Sequence, residues 1–230
     1  MRLDVFLVKN KFVASREKAQ FLIKNGFVEV DGKIITKSSK KVFPDSKVRI
    51  LKEFEYVGRG GYKLKKPVEI FKINFKNKIG ADVGCSKGGF TDFVLKRGAK
   101  KVYAIDLGDP LDSNLKKDKR IFYLPFTDAR KLKLKEKIDF CLIDVTFTSL
   151  KEILPVVKKW LKRKGIILAL IKPPFEVSSI KKLDPLKSIE IVKEIIKWCR
   201  NHKFKIKGVI RSEIKGKRGK QIEFFIFLEI

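Results

Sequence analysis

The sequence predicts a two-part α/β protein. A small α+β unit occupies residues 1–52, a glycine-rich linker 53–62, and a mostly parallel sheet wrapped by helices 63–230. Three observations carry that prediction. From residue 78 onward, apolar runs of four to eight residues alternate with segments of helical periodicity, the pattern of parallel strands joined by crossover helices. The last two apolar runs, within 203–214 and 221–230, are separated only by the basic stretch KGKRGK, and so short a link pairs neighbours antiparallel. The first fifty or so residues show neither pattern and carry signals of their own.

In that first unit Ser15 is placed to cap a helix through REKAQFLIKN, with Ala19, Leu22 and Ile23 apolar at helical spacing and Gly26 as its stop. FVEVDGKII then alternates and turns on Asp31-Gly32, a two-residue hairpin signal. KVRIL at 47–51 supplies another strand. The linker KEFEYVGRGGY sets Arg59 among Gly58, Gly60 and Gly61. After it the predicted strands are KIGADV, KVYAID, IFYL, IDFCLIDV and GIILALIK. The predicted helices are GGFTDFVLKRG, a segment near 148–163 and one near 184–200.

The 230 residues hold 55 Lys+Arg against 26 Asp+Glu, a formal charge of +29. A field of that size draws polyanions, so nucleic acid is the first partner to consider and an anionic membrane the second. The three cysteines, Cys85, Cys141 and Cys199, are far apart, and the single histidine, His202, completes no zinc site with them at usual spacing. They read as small core residues in a reducing cytosol. The N-terminal stretch is broken by Asp4, Lys9 and Lys11, and no window approaches the roughly twenty apolar residues of a membrane span. The expectation is a soluble cytoplasmic protein without a resident metal, taken as a monomer.

ADVGCSKGGF, residues 81–90, admits two chemistries. Gly84, Ser86 and Gly88 spell G-x-S-x-G, the elbow that exposes a nucleophilic serine. A hydrolase would need His202 as its base, yet that residue lies in CRNHKFK with charges on both sides. The elbow also belongs on a middle strand, whereas this loop follows the first strand of its domain. A cofactor loop makes a different demand: an acid ending the next strand about twenty residues on, to hold ribose hydroxyls. Asp106 ends VYAID 22 residues past Gly84, and Asp128 in FTDAR follows the third strand, where it reaches an adenine amino group. Ser86 stands where the dinucleotide fingerprint has its second glycine. That counts against NAD and a dehydrogenase, and favours S-adenosylmethionine, which has no pyrophosphate to cradle. The predicted cofactor set is Asp82, Gly84, Ser86, Gly88, Gly89, Phe90, Asp106, Asp128 and Asp144.

Four charged residues stand where an apolar sheet rim is expected. Asp144 ends DFCLID and Lys172 ends IILALIK, so both emerge at the carboxyl edge where open α/β sheets bind ligands. Lys63 opens the first helix of the larger domain. Glu223 lies within the last strand as the one charge in an aromatic run, and a lysine partner is expected to offset its burial.

Two resemblances follow from these stretches. SREKAQFLIKNGFVEVDGKIITKSSKKVFPDSKVRI is similar to the S-four RNA-binding domain, the αL motif. That resemblance implies that Arg16, Lys18 and Arg2 lie against structured RNA. A mostly parallel sheet with a terminal antiparallel hairpin resembles the Rossmann-like class I methyltransferases, and Lys63, Asp144, Lys172 and Glu223 match the Lys-Asp-Lys-Glu tetrad of FtsJ-type ribose 2′-O-methyltransferases. GRGGYKL, DVGCSKGGFTDFVLKRGAKKVYAIDLG, LIDVTFTSL and LIKPPFEV together resemble the TlyA family, which joins the two domains and methylates cytidine ribose in ribosomal RNA. The family's Gly-Asn before the final Glu is here GKQIE, with Gln221 nearest the Asn position, and KGKRGK is unusually charged.

The chemistry asks for such a set. A ribose 2′-hydroxyl is a weak acid, so attack on a sulfonium methyl needs its proton removed as the bond forms. Lys172 is assigned that role, with burial and a second lysine favouring its neutral amine while Asp144 and Glu223 oppose them and fix its position. Lys63 then stabilises charge on the oxygen. A second division of labour has both lysines only orienting the hydroxyl. Arg59 is expected at RNA, and Phe175 either stacks on the target base or packs. The expected partners are ribosomal RNA and ribosomal subunits. The rival readings are a non-catalytic RNA-binding or ribosome-assembly factor and, lower, a membrane-active haemolysin, a label carried by the family. Against the latter, no basic amphipathic helix with aromatic anchors stands out.

Overall fold

The computed structural model describes residues 1–52, 54–177, 183–214 and 222–230. They form two compact units, Met1–Arg59 and Gly60–Ile230.

In the first unit helix α1 (Leu3–Lys9) packs on helix α2 (Arg16–Lys24). The Ser15 hydroxyl accepts the Lys18 amide at 3.3 Å, capping α2 as its position predicts. Strands β1 (Val28–Val30), β2 (Lys33–Ile34) and β3 (Val48–Ile50) form an antiparallel sheet in the order β2-β1-β3. Asp31 and Gly32 take φ of +49° and +78°, the two left-handed residues that a type I′ turn requires. Helix α1 was absent from the sequence prediction. Its seven residues are too few to show a period, and its buried Leu3, Phe6 and Leu7 acquire meaning only against α2.

Helix α3 (Arg59–Ile70) starts at the last residue of the first unit and runs into the second, so residues 59–62, predicted as linker, are helical. The two glycines there serve contact: a Cβ added to Gly89 would meet the Gly60 Cα and Gly61 N at 3.0 Å. Then follow β4 (Ile79–Val83), α4 (Gly89–Leu95), β5 (Lys101–Ile105), β6 (Ile121–Leu124) and β7 (Ile138–Ile143). After them come α5 (Leu150–Trp160), β8 (Leu161–Ile171), α6 (Pro173–Glu176), α7 (Pro185–Asn201), β9 (Lys205–Arg211) and β10 (Phe224–Glu229).

The described strands of this unit form one sheet in the order β6-β5-β4-β7-β8-β10-β9. The first five run parallel, and β10 runs antiparallel between β8 and β9. The helix expected to reach 163 stops at Trp160, and β8 starts four residues before GIILALIK. The cause is a bulge: β7 pairs Ile138 with Leu161 and then Phe140 with Ile166, while Lys164 takes φ +62°. Lys162, Arg163 and Lys164 thereby loop outward into solvent while the chain on both sides stays extended.

One sheet face buries Cys141, Ile143, Ile167 and Ala169 against α5 and α7 through Leu154, Trp160, Ile195 and Cys199. Alternation turns Phe140 to the opposite face, where it meets Phe75 edge-on at 4.9 Å. Gly80 makes room for that ring, since a Cβ there would lie 2.2 Å from it. All three cysteines are buried and unpaired. Among the described residues no helix is long and apolar enough to cross a membrane.

Candidate active site

Strand register builds the site. Val83 pairs with Ile143, so Gly84 and Asp144 leave the carboxyl edge side by side. Phe224 pairs with Ile171, which sets Glu223 beside Lys172. Glu223 therefore stands one residue before β10 rather than within it, anchored where the Ser212 amide donates to its carbonyl at 2.8 Å. KGKRGK (215–220) and Gln221 lie outside the described residues.

The four predicted residues converge into an alternating chain of charge. The Lys63 ammonium donates to Glu223 Oε2 at 2.8 Å and lies 3.7 Å from Asp144 Oδ2. Lys172 pairs with Asp144 Oδ1. The lysine partner expected for Glu223 is Lys63. The side chains of Lys63, Glu223 and Lys172 are no more than 10 % exposed and that of Asp144 is 21 %, so the charges are held by each other rather than by water. Burial pushes the Asp144 carboxyl up, but Lys172 and then Lys63 outweigh it and hold it below the usual range.

Next to this chain lies the glycine loop. Gly84 takes φ +79° and Gly88 φ +89°, and Ser86 is also left-handed at +51°. Gly88 is confined by Leu115 and Leu111, whose methyls would lie 2.4 and 2.7 Å from a Cβ. Asp106 holds the loop from below, accepting the Ser86 amide at 2.9 Å and the Gly108 amide at 3.0 Å. Asp128 caps a short turn by accepting the Arg130 amide at 2.9 Å, and the Arg130 guanidinium lowers its pKa. The ring of Phe90 is buried in the core, 6.3 Å from Phe225, so its side chain is not placed to meet a ligand as the sequence reading expects.

Asp82 is fully buried beneath the loop. Thr91 donates both its amide (3.0 Å) and hydroxyl (2.7 Å) to Oδ2, whereas Oδ1 has no hydrogen-bond partner. Burial raises this carboxyl to about 7 from its ordinary 3.8, with Thr91 opposing and Asp144 adding repulsion. Between those values the folded protein binds more protons than the unfolded chain, so stability falls as pH rises. The melting temperature of ligand-free protein is expected to drop from about pH 4 to about pH 7 and to level above that, and Asp82→Asn to flatten that slope. A slope unchanged in the variant would place the titration elsewhere.

In the first unit Arg2 and Arg16 grip the fully buried Asp4, with Nε–Oδ distances of 2.9 Å each, and Gln20 adds a third donor at 2.7 Å. The hydrogen bond from Arg2 holds the Asp4 carboxyl well below its usual range, burial opposing. Both arginines remain about half exposed, at 46 % and 55 %. Lys18 lies 5.3 Å above the Phe54 ring, and Arg59 pairs with Glu17 at 2.8 Å. Asp4 escaped sequence reading because one acid in a short amphipathic stretch resembles a solvated face.

Three exposed apolar residues at the carboxyl edge also escaped it: Leu107, Phe126 and Phe147. Phe147 is 79 % exposed, takes φ +60° and meets Phe175 at 4.9 Å. A bulky residue in left-handed backbone at a ligand edge is the mark of a functional loop. The sequence signal was an aromatic set between two threonines, Thr146 and Thr148, two residues after Asp144.

Comparison with known proteins bears on this geometry. The model of the FtsJ-like methyltransferase family matches residues 56–229. The chain belongs to that family. In front of the methyltransferase, the S4 domain model matches residues 1–48. The FtsJ-like chain is 31 % identical to the 16S/23S rRNA (cytidine-2′-O)-methyltransferase TlyA of Mycobacterium tuberculosis, over 99 % of this chain and 89 % of that protein. It is 33 % identical to the 23S rRNA (cytidine-2′-O)-methyltransferase TlyA of Campylobacter jejuni, over 99 % and 98 %. A solved structure from Streptococcus thermophilus, named as a candidate hemolysin, superposes with a TM-score of 0.74 at 30 % identity, covering 100 % of this chain and 88 % of that one. The fold and the family resemblance expected from the sequence are thereby confirmed for this FtsJ-like methyltransferase.

Proposed function

We propose that this chain transfers a methyl group from S-adenosylmethionine to a ribose 2′-hydroxyl of ribosomal RNA, with cytidine as the target nucleotide. The observation that carries the reading is the alternating Glu223–Lys63–Asp144–Lys172 chain beside the Gly84 loop. The names of the TlyA relatives supply the nucleotide and the RNA class.

The residues fit the cofactor. Asp82 keeps an unpartnered buried oxygen, and Asp106 and Asp128 add acidity for a ligand that carries cationic groups and ribose hydroxyls. Leu107 and Phe126, 66 % and 76 % exposed, offer apolar walls for a purine. When bound, S-adenosylmethionine supplies an electrophilic methyl on a sulfonium. The remaining tasks fall to the chain itself. Lys63 aims a cationic donor, and Lys172 an amine, at one point where a hydroxyl oxygen is to be held. Lys172, at the end of the chain of pairs, acts once its ammonium has released a proton to solvent: the neutral amine then takes the hydroxyl proton as the new bond forms. Asp144 anchors both lysines, and Glu223 fixes Lys63. Arg2, Arg16, Lys18 and Arg59 are assigned to RNA phosphates, Arg2 and Arg16 through the exposed edges of guanidiniums whose inner edges hold Asp4.

A 2′-hydroxyl in a folded RNA reaches such a buried chain only if its nucleotide leaves the stack. Phe147 and Phe175 are assigned as the platform that receives the base. Replacing either with alanine is expected to raise the RNA concentration at half-saturation by about tenfold, the scale of one lost base–aromatic stack. Cofactor affinity, measured by calorimetry, is expected to be unchanged. Equal losses of both affinities would mean that the rings only pack.

The deciding experiment takes small and large ribosomal subunits that lack the modification. Each is incubated with the protein and methyl-labelled S-adenosylmethionine, and label is mapped by nuclease digestion and mass spectrometry. Label on a cytidine ribose is the expected result. Label on a base overturns the 2′-hydroxyl assignment. Cofactor binding without label on either subunit overturns the ribosomal substrate. Neither binding nor label leaves a non-catalytic RNA-binding protein.

A further inference from the structure

The loops that follow β7 and β8 each carry one ion-paired residue and one aromatic: Asp144 and Phe147 on the first, Lys172 and Phe175 on the second. They are tied together at a point that the chemistry above does not use. Glu176, the last residue of α6, reaches across to the start of α5. Its Oε2 accepts the Ser149 hydroxyl at 2.5 Å, and both carboxyl oxygens lie 3.2 Å from the Leu150 amide, which donates to them. Ser149 is at the same time the N-cap of α5, accepting the Lys151 amide at 3.1 Å. The carboxylate thus meets the first N–H, that of Leu150, at the positive end of an eleven-residue helix.

The lever from Lys172 to Glu176 is short and stiff. Lys172 precedes two prolines and is held extended at φ −114°, ψ 93°. Pro173 and Pro174 are buried, and the Phe175 amide donates to the Lys172 carbonyl at 2.9 Å. On the facing loop, left-handed Phe147 needs outside support to persist, and the grip of Glu176 begins two residues later, at Ser149. Burial pushes the Glu176 carboxyl up, while the Ser149 hydroxyl, the Leu150 amide and Lys151 favour its charged form and Glu152 opposes it.

We infer that Glu176 is a positioning residue for methyl transfer: it locks the two loops into one unit, so that the Asp144–Lys172 pair and the Phe147–Phe175 platform hold the target nucleotide in register. This inference rests on the methyl-transfer reading. It also makes a structural claim that is testable without any turnover. None of the cofactor-loop contacts passes through Glu176; Ser86, Thr91 and Gly108 are held by Asp106 and Asp82.

The test compares wild-type protein with Glu176→Ala and Glu176→Gln in two measurements, amide hydrogen exchange and single-turnover transfer to the labelled ribosomal substrate. In Glu176→Ala, exchange is expected to accelerate in residues 145–150 and 175–177, but not in 82–92. The transfer rate is expected to fall by about 10- to 100-fold, the cost of misplacing reacting groups by about 1 Å, with cofactor affinity unchanged. Glu176→Gln keeps one carbonyl acceptor for Ser149 and is expected to recover part of both. Unchanged exchange in the two loops overturns the lock. Faster exchange with a wild-type rate overturns its role in transfer. A rate loss matched by equal losses in cofactor affinity and melting temperature also overturns it, as general destabilisation. If wild-type protein labels no RNA while exchange responds as expected, the lock stands as structure and it is the methyl-transfer reading that fails.

Discussion

Lys172→Ala is expected to reduce methyl transfer by about a thousandfold or more while leaving cofactor affinity within about threefold of wild type. The rate loss follows from position. Lys172 ends the chain of alternating charges, and no other described cation pairs with Asp144 except Lys63 at 3.7 Å. Removing it takes away the group assigned to the hydroxyl proton and half of the donor pair that holds the oxygen. Cofactor affinity is spared because Asp106 and Asp82 hold the loop independently. The structural cost is modest. Asp144 is 21 % exposed and keeps Lys63, so its stranded charge costs less than the about 3–5 kcal/mol of a fully buried broken pair. Lys172→Arg separates the two roles the lysine can play. Arginine keeps the charge and the donors but does not give up a proton in a protein. Activity lost in Lys172→Arg as fully as in Lys172→Ala identifies proton removal, whereas substantial activity in the arginine variant identifies orientation alone. Single-turnover rates with each variant, beside calorimetric titration of the cofactor, make the comparison.

Gly84→Ala is expected to abolish cofactor binding at practical concentrations and to cost about 2–4 kcal/mol of stability, roughly 4–16 °C in melting temperature for a domain of this size. Two penalties act together. The backbone is left-handed at φ +79°, and an added Cβ would lie 2.7 Å from the carbonyl oxygen of Asp144. That oxygen cannot retreat cheaply, because the Asp144 amide donates to the Val83 carbonyl at 3.0 Å and continues the β4–β7 ladder. Relief would therefore push the loop out of the cofactor's path or pull Asp144 away from its lysines. Gly32→Ala is the internal comparison. It has nearly the same dihedral, φ +78°, and no heavy atom within 4 Å of its added Cβ, so it reports the backbone cost alone. Similar losses in the two variants would remove the clash from the explanation.

What could be read from the sequence divides along physical lines. Asp144 and Lys172 were legible because each is a charge terminating an unbroken apolar run, and the carboxyl end of such a strand has one destination in a parallel sheet. Asp106 was legible by its spacing from Gly84, though not its task beneath the loop, where it accepts the Ser86 and Gly108 amides. The β8 start was illegible: Leu161 to Lys164 has no punctuating residue, and the bulge is a property of its pairing with β7. Phe147 was hidden because its left-handed backbone leaves no trace in residue type. Glu176 and Asp4 were hidden for a shared reason. The task of such a carboxylate is recognisable only through its partners, and Ser149 and Arg16 stand 27 and 12 residues away.

The placement of β10 between β8 and β9 bears on the order in which the site can come into being. Strand β9 precedes β10 in the chain, yet among the described pairings it touches the sheet only through β10. Only together with β10, its antiparallel partner, does it join the sheet. Pairing β10 with β8 joins residues more than fifty positions apart, from Ile171 to Phe224, and such distant contacts are slow to form. Glu223 arrives with it and only then meets Lys63, 160 positions earlier. Catalytic competence is thus expected to be among the last properties the folding chain acquires, well after the glycine loop between β4 and α4 has formed from contacts closer in sequence.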